Sequence, residues 1–103
     1  MIFIESPVFT RQVIALLSDD SYAEFQRFLA KQPDAGDVIQ GTGGLRKIRW
    51  VAHGKGKRGG VRVIYFHVSA RQQIRMLLIY RKGVKDDLTA SEKKVLRALN
   101  DAW

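Results

Sequence analysis

Cysteine is absent from this 103-residue chain, which excludes a disulfide framework, thiolate metal sites and a cysteine nucleophile, and fits a reducing compartment. No apolar run approaches the length of a bilayer span, and the apolar start Met1-Ile2-Phe3-Ile4 is too short for a signal or membrane segment. The expected location is therefore cytoplasmic, without a membrane partner. Histidine is scarce, with His53 and His67 isolated from each other, so neither a metal site nor a nucleophile with its base and orienter is indicated. The most informative absence is that of acids. Between Val38 and Lys85 there is no Asp or Glu, which leaves nothing in that stretch to hold Mg²⁺.

What fills the stretch is positive charge. It holds twelve of the eighteen Lys and Arg: Arg46, Lys47, Arg49, Lys55, Lys57, Arg58, Arg62, Arg71, Arg75, Arg81, Lys82 and Lys85. The formal charge of +8 is thus a +12 block against a −4 remainder. A one-signed surface repels itself, so such a block points to a polyanionic partner, RNA or DNA. The cations sit in strand-like and Gly-rich sequence, not along one face of an amphipathic helix, which argues against an anionic membrane surface.

Length and a 46% hydrophobic content fit one domain, residues 1–103, around one core. Residues 2–4 read as a short strand, closed by Ser6-Pro7 as a helix start. Val13, Leu16 and Leu17 share one side of the first helix. Ser18-Asp19-Asp20 begins a second, whose Tyr22, Phe25, Phe28 and Leu29 form a core stripe. Pro33 and Gly36 end it.

The period then switches from helical to alternating. Residues 45–52 form a strand with Ile48 and Trp50 on one face and Lys47 and Arg49 on the other. After a basic Gly-rich turn, residues 61–68 and the nearly continuous apolar run 73–80 make two further strands. Thr89 and Glu92 have capping-box spacing and begin a last helix, with Val95, Leu96 and Leu99 expected inward. The expected class is α+β, in the order β-α-α-β-β-β-α, with helices packed against a largely antiparallel twisted sheet.

Lys47 and Arg49 leave one strand on the same face, and Arg62 begins the adjacent strand. Lys55, Lys57 and Arg58 ride on a loop whose glycines let backbone N–H groups approach phosphate, though it lacks the Walker lysine-hydroxyl pattern. A cationic site without metal or cofactor suits cleavage of RNA by its own 2′-hydroxyl. There the protein positions the backbone, moves two protons and stabilises the charge on phosphorus. Crowded lysines can exchange protons, which makes Lys47 and Lys82 candidates. Permanently charged Arg49 and Arg62 suit phosphate binding and transition-state stabilisation. Tyr80 can stack on a base, exchange a proton, or simply pack at the sheet edge. Arg71 and Arg75 carry no assignment from the sequence, with solvated charge the simplest reading.

The run from Gly36 through Gly41-Thr42-Gly43-Gly44-Leu45-Arg46-Lys47-Ile48-Arg49, followed by Gly54-Lys55-Gly56-Lys57-Arg58-Gly59-Gly60 and Val61-Arg62-Val63-Ile64-Tyr65-Phe66, closely resembles the HigB branch of the RelE/ParE bacterial toxin superfamily. The resemblance extends over nearly the whole chain, including Leu78-Ile79-Tyr80 and the last helix. It implies a RelE-like fold and a toxin of a type II toxin-antitoxin pair that cleaves mRNA on the ribosome. The implied partners are the ribosome, mRNA and a cognate HigA-like helix-turn-helix antitoxin, through which DNA is met only indirectly. It places Lys47, Arg49 and Arg62 on the scissile phosphate. RelE also has an arginine and a tyrosine after the last strand, where this chain offers Gly83 and Thr89; Tyr80 and Lys82 are the expected substitutes. Arg46, Lys55, Lys57, Arg58, Arg81 and Lys85 are expected to bind RNA or ribosome. The competing expectations are a non-enzymatic ParE-type inhibitor of DNA gyrase and a plain RNA-binding module.

Overall fold

The structure, a computed structural model, describes residues 1–51, 60–85 and 87–103. Its elements are β1 (Ile2–Glu5), α1 (Pro7–Leu16), α2 (Asp19–Lys31), β2 (Asp37–Val38), β3 (Arg46–Trp50), β4 (Val61–Val68), a 3₁₀ turn (Ser69–Arg71), β5 (Gln73–Arg81) and α3 (Ala90–Asp101). The expected α+β order holds, with one addition. The two-residue β2 pairs with β3 at the sheet edge and is too short to leave a periodic signal. The sheet runs β1-β5-β4-β3-β2, antiparallel except where β1 lies parallel to β5. No helix among the described residues is long and apolar enough to cross a membrane.

Local chemistry sets the helix starts. Ser6 accepts a hydrogen bond from the Phe9 N–H at 3.0 Å, while its own hydroxyl donates to the Leu77 carbonyl at 2.8 Å. One buried serine therefore caps α1 and ties it to β5. Ser18 caps α2, with Asp19 and Asp20 in the first turn. Thr89 and Glu92 form the expected reciprocal capping box of α3.

Two apolar clusters sandwich the sheet. Helices α1 and α2 cover one face, where Phe9, Phe25, Leu29, Val63, Tyr65 and Met76 are fully buried and Ile48 and Trp50 pack against them. Trp50 lies 5.2 Å from Phe25 and donates its indole N–H to Ser21 Oγ. Opposite, Leu45, Ile64, Leu77, Tyr80, Leu88 and Leu96 form a smaller cluster under α3. Of the three apolar residues expected inward on α3 only Leu96 is buried; Val95 is 66% and Leu99 40% exposed. The sheet takes a single ridge of that helix, because Arg75 and Trp103 occupy its far end. The Arg75 guanidinium donates to the Asn100 carbonyl and side chain at 3.2 Å and stacks over Phe66 and Trp103, so Arg75 is a clamp and not solvated charge.

Two glycines are required by close approach. A Cβ on Gly36 would lie 2.9 Å from the Tyr65 ring and hydroxyl, and that hydroxyl accepts from the Gly36 N–H and donates to the Pro33 carbonyl. Gly60 has φ +62°, and a Cβ there would lie 2.1 Å from the Trp50 carbonyl oxygen. That contact brings the start of β4 against the end of β3.

Candidate nucleic-acid interface

Sheet register places the basic side chains. Arg49 pairs with Arg62, and Arg62 pairs with Tyr80, so these three form one row across β3, β4 and β5. Lys47 stands in the neighbouring row with Ile64 and Leu78. Cross-strand partners share a face. This is the face that carries α3, whereas Ile48 and Trp50 point to the α1 and α2 side. The expected division of β3 into an apolar and a basic face is present.

Tyr80 reaches the row through a β-bulge. Ile64 pairs with Leu78 but Tyr65 pairs with Met76, which leaves Leu77 as an extra residue in β5. Alternation from Met76 alone would carry position 80 to the α1 and α2 face. The inserted residue reverses the phase. Ile79 therefore joins the larger core and Tyr80 turns to the basic face. The residue is 7% exposed, and its buried hydroxyl has no hydrogen-bond partner among the described residues. The Lys85 ammonium lies 5.6 Å from the ring centroid and is ion-paired with Glu92. A cleft of about 350 Å³ borders this end of β5, walled by Leu78, Tyr80, Val84 and Lys85, with Gln12 and Leu16 of α1.

Two arginines directly opposed on one face of an antiparallel pair repel each other, and a sheet selected for stability alone disfavours that arrangement. Planar guanidinium groups match phosphate oxygens two at a time, so an anion placed between two such like charges is favoured. The arrangement can therefore hold a phosphodiester against Arg49 and Arg62, with Lys47 to one side and a phenol on the other.

No protein-family model matches the sequence. Among solved structures, the chain is similar to a double arginine-to-alanine variant of the E. coli toxin RelE in the free state, at 12% identity and a TM-score of 0.59, over 96% of this chain and 95% of that one. The fold is that of RelE. The isolated E. coli RelE toxin in another structure gives the same result at 9% identity and a TM-score of 0.55, over 95% and 97% of the two chains. Identities this low make the shared property the α+β architecture, and the roles of individual residues rest on this chain's own geometry.

Within the RelE fold the remaining candidates scatter. Arg46 pairs with Tyr65, away from the row, and its guanidinium donates to the Gly36 and Asp34 carbonyls at 2.7 and 3.1 Å. It also lies 3.7 Å from the Asp34 carboxylate. His67 Nδ1 sits 2.8 Å from the same carboxylate, which this hydrogen bond holds below its ordinary acid range. Arg46 and His67 thus brace the loop between α2 and β2. Arg81 pairs with Val61, whose side chain belongs to the α1 and α2 core, so its own side chain leaves the opposite face from the row. Lys82 follows β5; its N–H donates to the Gly60 carbonyl, and it bridges to Lys85. His53, Lys55, Lys57 and Arg58 lie outside the described residues. Sequence reading missed Asp87. Its Oδ1 lies 3.2 Å from Lys47 Nζ across a separation of 40 residues, for which no local pattern gives a signal.

Among the described residues no group of three or more His, Asp or Glu comes together in a form that could hold a metal ion.

Proposed function

We propose that this protein is the toxin of a type II toxin-antitoxin pair, an endoribonuclease that cuts mRNA on the ribosome and so stops translation. The observation that carries the reading is the Arg49–Arg62–Tyr80 row, with Lys47 beside it, on a RelE fold and within an acid-free block of twelve cations.

In this reading Arg49 and Arg62 grip the non-bridging oxygens of the scissile phosphate and Lys47 holds the adjoining backbone. The RNA 2′-oxygen attacks phosphorus as its proton leaves, and the 5′-oxygen departs with a proton, giving a 2′,3′-cyclic phosphate and a 5′-hydroxyl. The two arginines oppose the charge that builds on the phosphorane oxygens, the largest contribution such a site can make. Tyr80, whose hydroxyl has no partner among the described residues, and Lys82 are the proton-exchanging candidates. Lys47 is engaged with Asp87 and suits a positional role better. The cleft beside Tyr80 has room for a neighbouring base.

Lys55, Lys57 and Arg58 are assigned to ribosomal RNA, with Arg81, Lys85 and Arg46 as outlying cations of the same charge field. The HigB-like sequence runs support a HigA-like helix-turn-helix antitoxin as partner, contact with DNA only through that complex, and a cytoplasmic location. A gyrase inhibitor of the ParE type has no need of opposed arginines around a phosphate position.

Expression of the wild type and of Arg62→Ala in a bacterium, with mRNA 5′ ends mapped, tests the proposal. New ends within translated frames that vanish in the variant are expected. Growth arrest with broken DNA and intact mRNA would replace the endonuclease with the gyrase inhibitor.

A further inference from the structure

The acid-free block stops at Lys85, yet the chain folds an acid from beyond it back onto the basic face. Asp87 Oδ1 stands 3.2 Å from Lys47 Nζ, with the two side chains 85% and 30% exposed. Its neighbours fix that placement. Leu88 is buried in the cluster of Ile64, Leu77 and Tyr80, Thr89 opens the capping box of α3, and Lys85 is bonded to Glu92. Asp87 is therefore held between two anchored points at the rim of the arginine row. Lys47 stands one row from Arg49 and Arg62 on the same face of β3, so the carboxylate holds an ammonium that neighbours the arginine pair.

We propose that Asp87 is an internal competitor for the phosphate position at Lys47. A carboxylate oxygen supplies the ammonium with the same kind of contact as a phosphate oxygen. In the ligand-free protein it satisfies Lys47, and a bound polyanion has to displace it. The inference rests on the polyanion-binding reading of this face and extends it. One consequence is selectivity by contact number. An isolated phosphate gains one partner and loses Asp87's share, whereas an RNA backbone that also engages Arg49 and Arg62 retains net affinity. Exposed ion pairs are weak, so the expected effect of removing the competitor is about twofold to fivefold in affinity.

The test is titration of the folded protein with a 2′-O-methyl oligoribonucleotide, which binds as RNA does but lacks the nucleophile. Asp87→Asn should bind it about twofold to fivefold more tightly than the wild type at low salt. The gain should disappear in the Lys47→Met background. An unchanged or weaker affinity for Asp87→Asn overturns the proposal, as does the same gain in the Lys47→Met background. Because the probe cannot be cut, the result is independent of ribonuclease activity. A wild type that leaves mRNA intact on the ribosome would remove the endonuclease reading while this cycle still decided the role of Asp87.

Discussion

Tyr80 concentrates the physics of the site in one side chain. A buried phenol with no partner among the described residues costs stability, because its hydroxyl has left water without a compensating hydrogen bond from them. Substitution by Phe keeps the packing in the α3 cluster and removes that cost. Tyr80→Phe is expected to melt at the same or a higher temperature, corresponding to stabilisation of up to about 1 kcal/mol. If the hydroxyl exchanges a proton in the cleavage step, ribosome-bound mRNA should be cut about 100-fold more slowly by the same variant. Melting curves and single-turnover cleavage measured side by side check both halves. A variant that is more stable and equally active would leave Tyr80 as a packing residue.

At the scale of elements, alternation in β3 was legible because half-buried strands display their two faces in the sequence, and Ile48 and Trp50 lie opposite Lys47 and Arg49 as that period requires. The run in β5 hid its bulge, because residues on both faces of a central strand are apolar and a one-residue phase change leaves no mark. Arg46 and Arg81 are lessons in parity, as basic residues next to the site in sequence that leave the sheet on its other side. The amphipathic pattern of α3 overstated its buried face, since the helix is held at its ends as much as along its length. Glu92 anchors the first end. Its hydrogen bond with Lys85, and next that with the Thr89 N–H, lower its pKa from the ordinary 4.5. A lowered value in the folded state means that the carboxylate contributes stability above pH 4.5 and loses it as the pH falls through the folded value. Glu92→Gln preserves the capping box but cannot titrate. Between about pH 5 and about pH 3 the wild type should therefore lose more of its melting temperature than Glu92→Gln. Parallel pH slopes would show that the Lys85–Glu92 pair does not hold the helix.

The whole molecule is electrically lopsided, with twelve cations in an acid-free stretch and the acids gathered in the rest of the chain. That asymmetry was plain in the sequence, whereas its division into an arginine row, a braced loop and a clamp at α3 needed the register of the sheet. Charge of this kind governs association with RNA through counterion release, so affinity should fall steeply as salt is raised. Each single-strand phosphate contact contributes a log–log slope of about −0.7, so Arg49→Ala/Arg62→Ala should flatten the salt dependence of oligonucleotide binding by about 1.4. Fluorescence anisotropy over a salt series measures this, and an unaltered slope would place the phosphate contacts elsewhere.

In the proposed reaction the basic row turns the RNA's own 2′-oxygen on the adjoining phosphate. That step is tested most directly by a ribosome-bound mRNA carrying one 2′-deoxy nucleotide on the 5′ side of the mapped cut. The all-ribose message is expected to be severed there, leaving a 2′,3′-cyclic phosphate, and the deoxy message to stay intact at that bond. Cleavage of the deoxy message at an undiminished rate would contradict it.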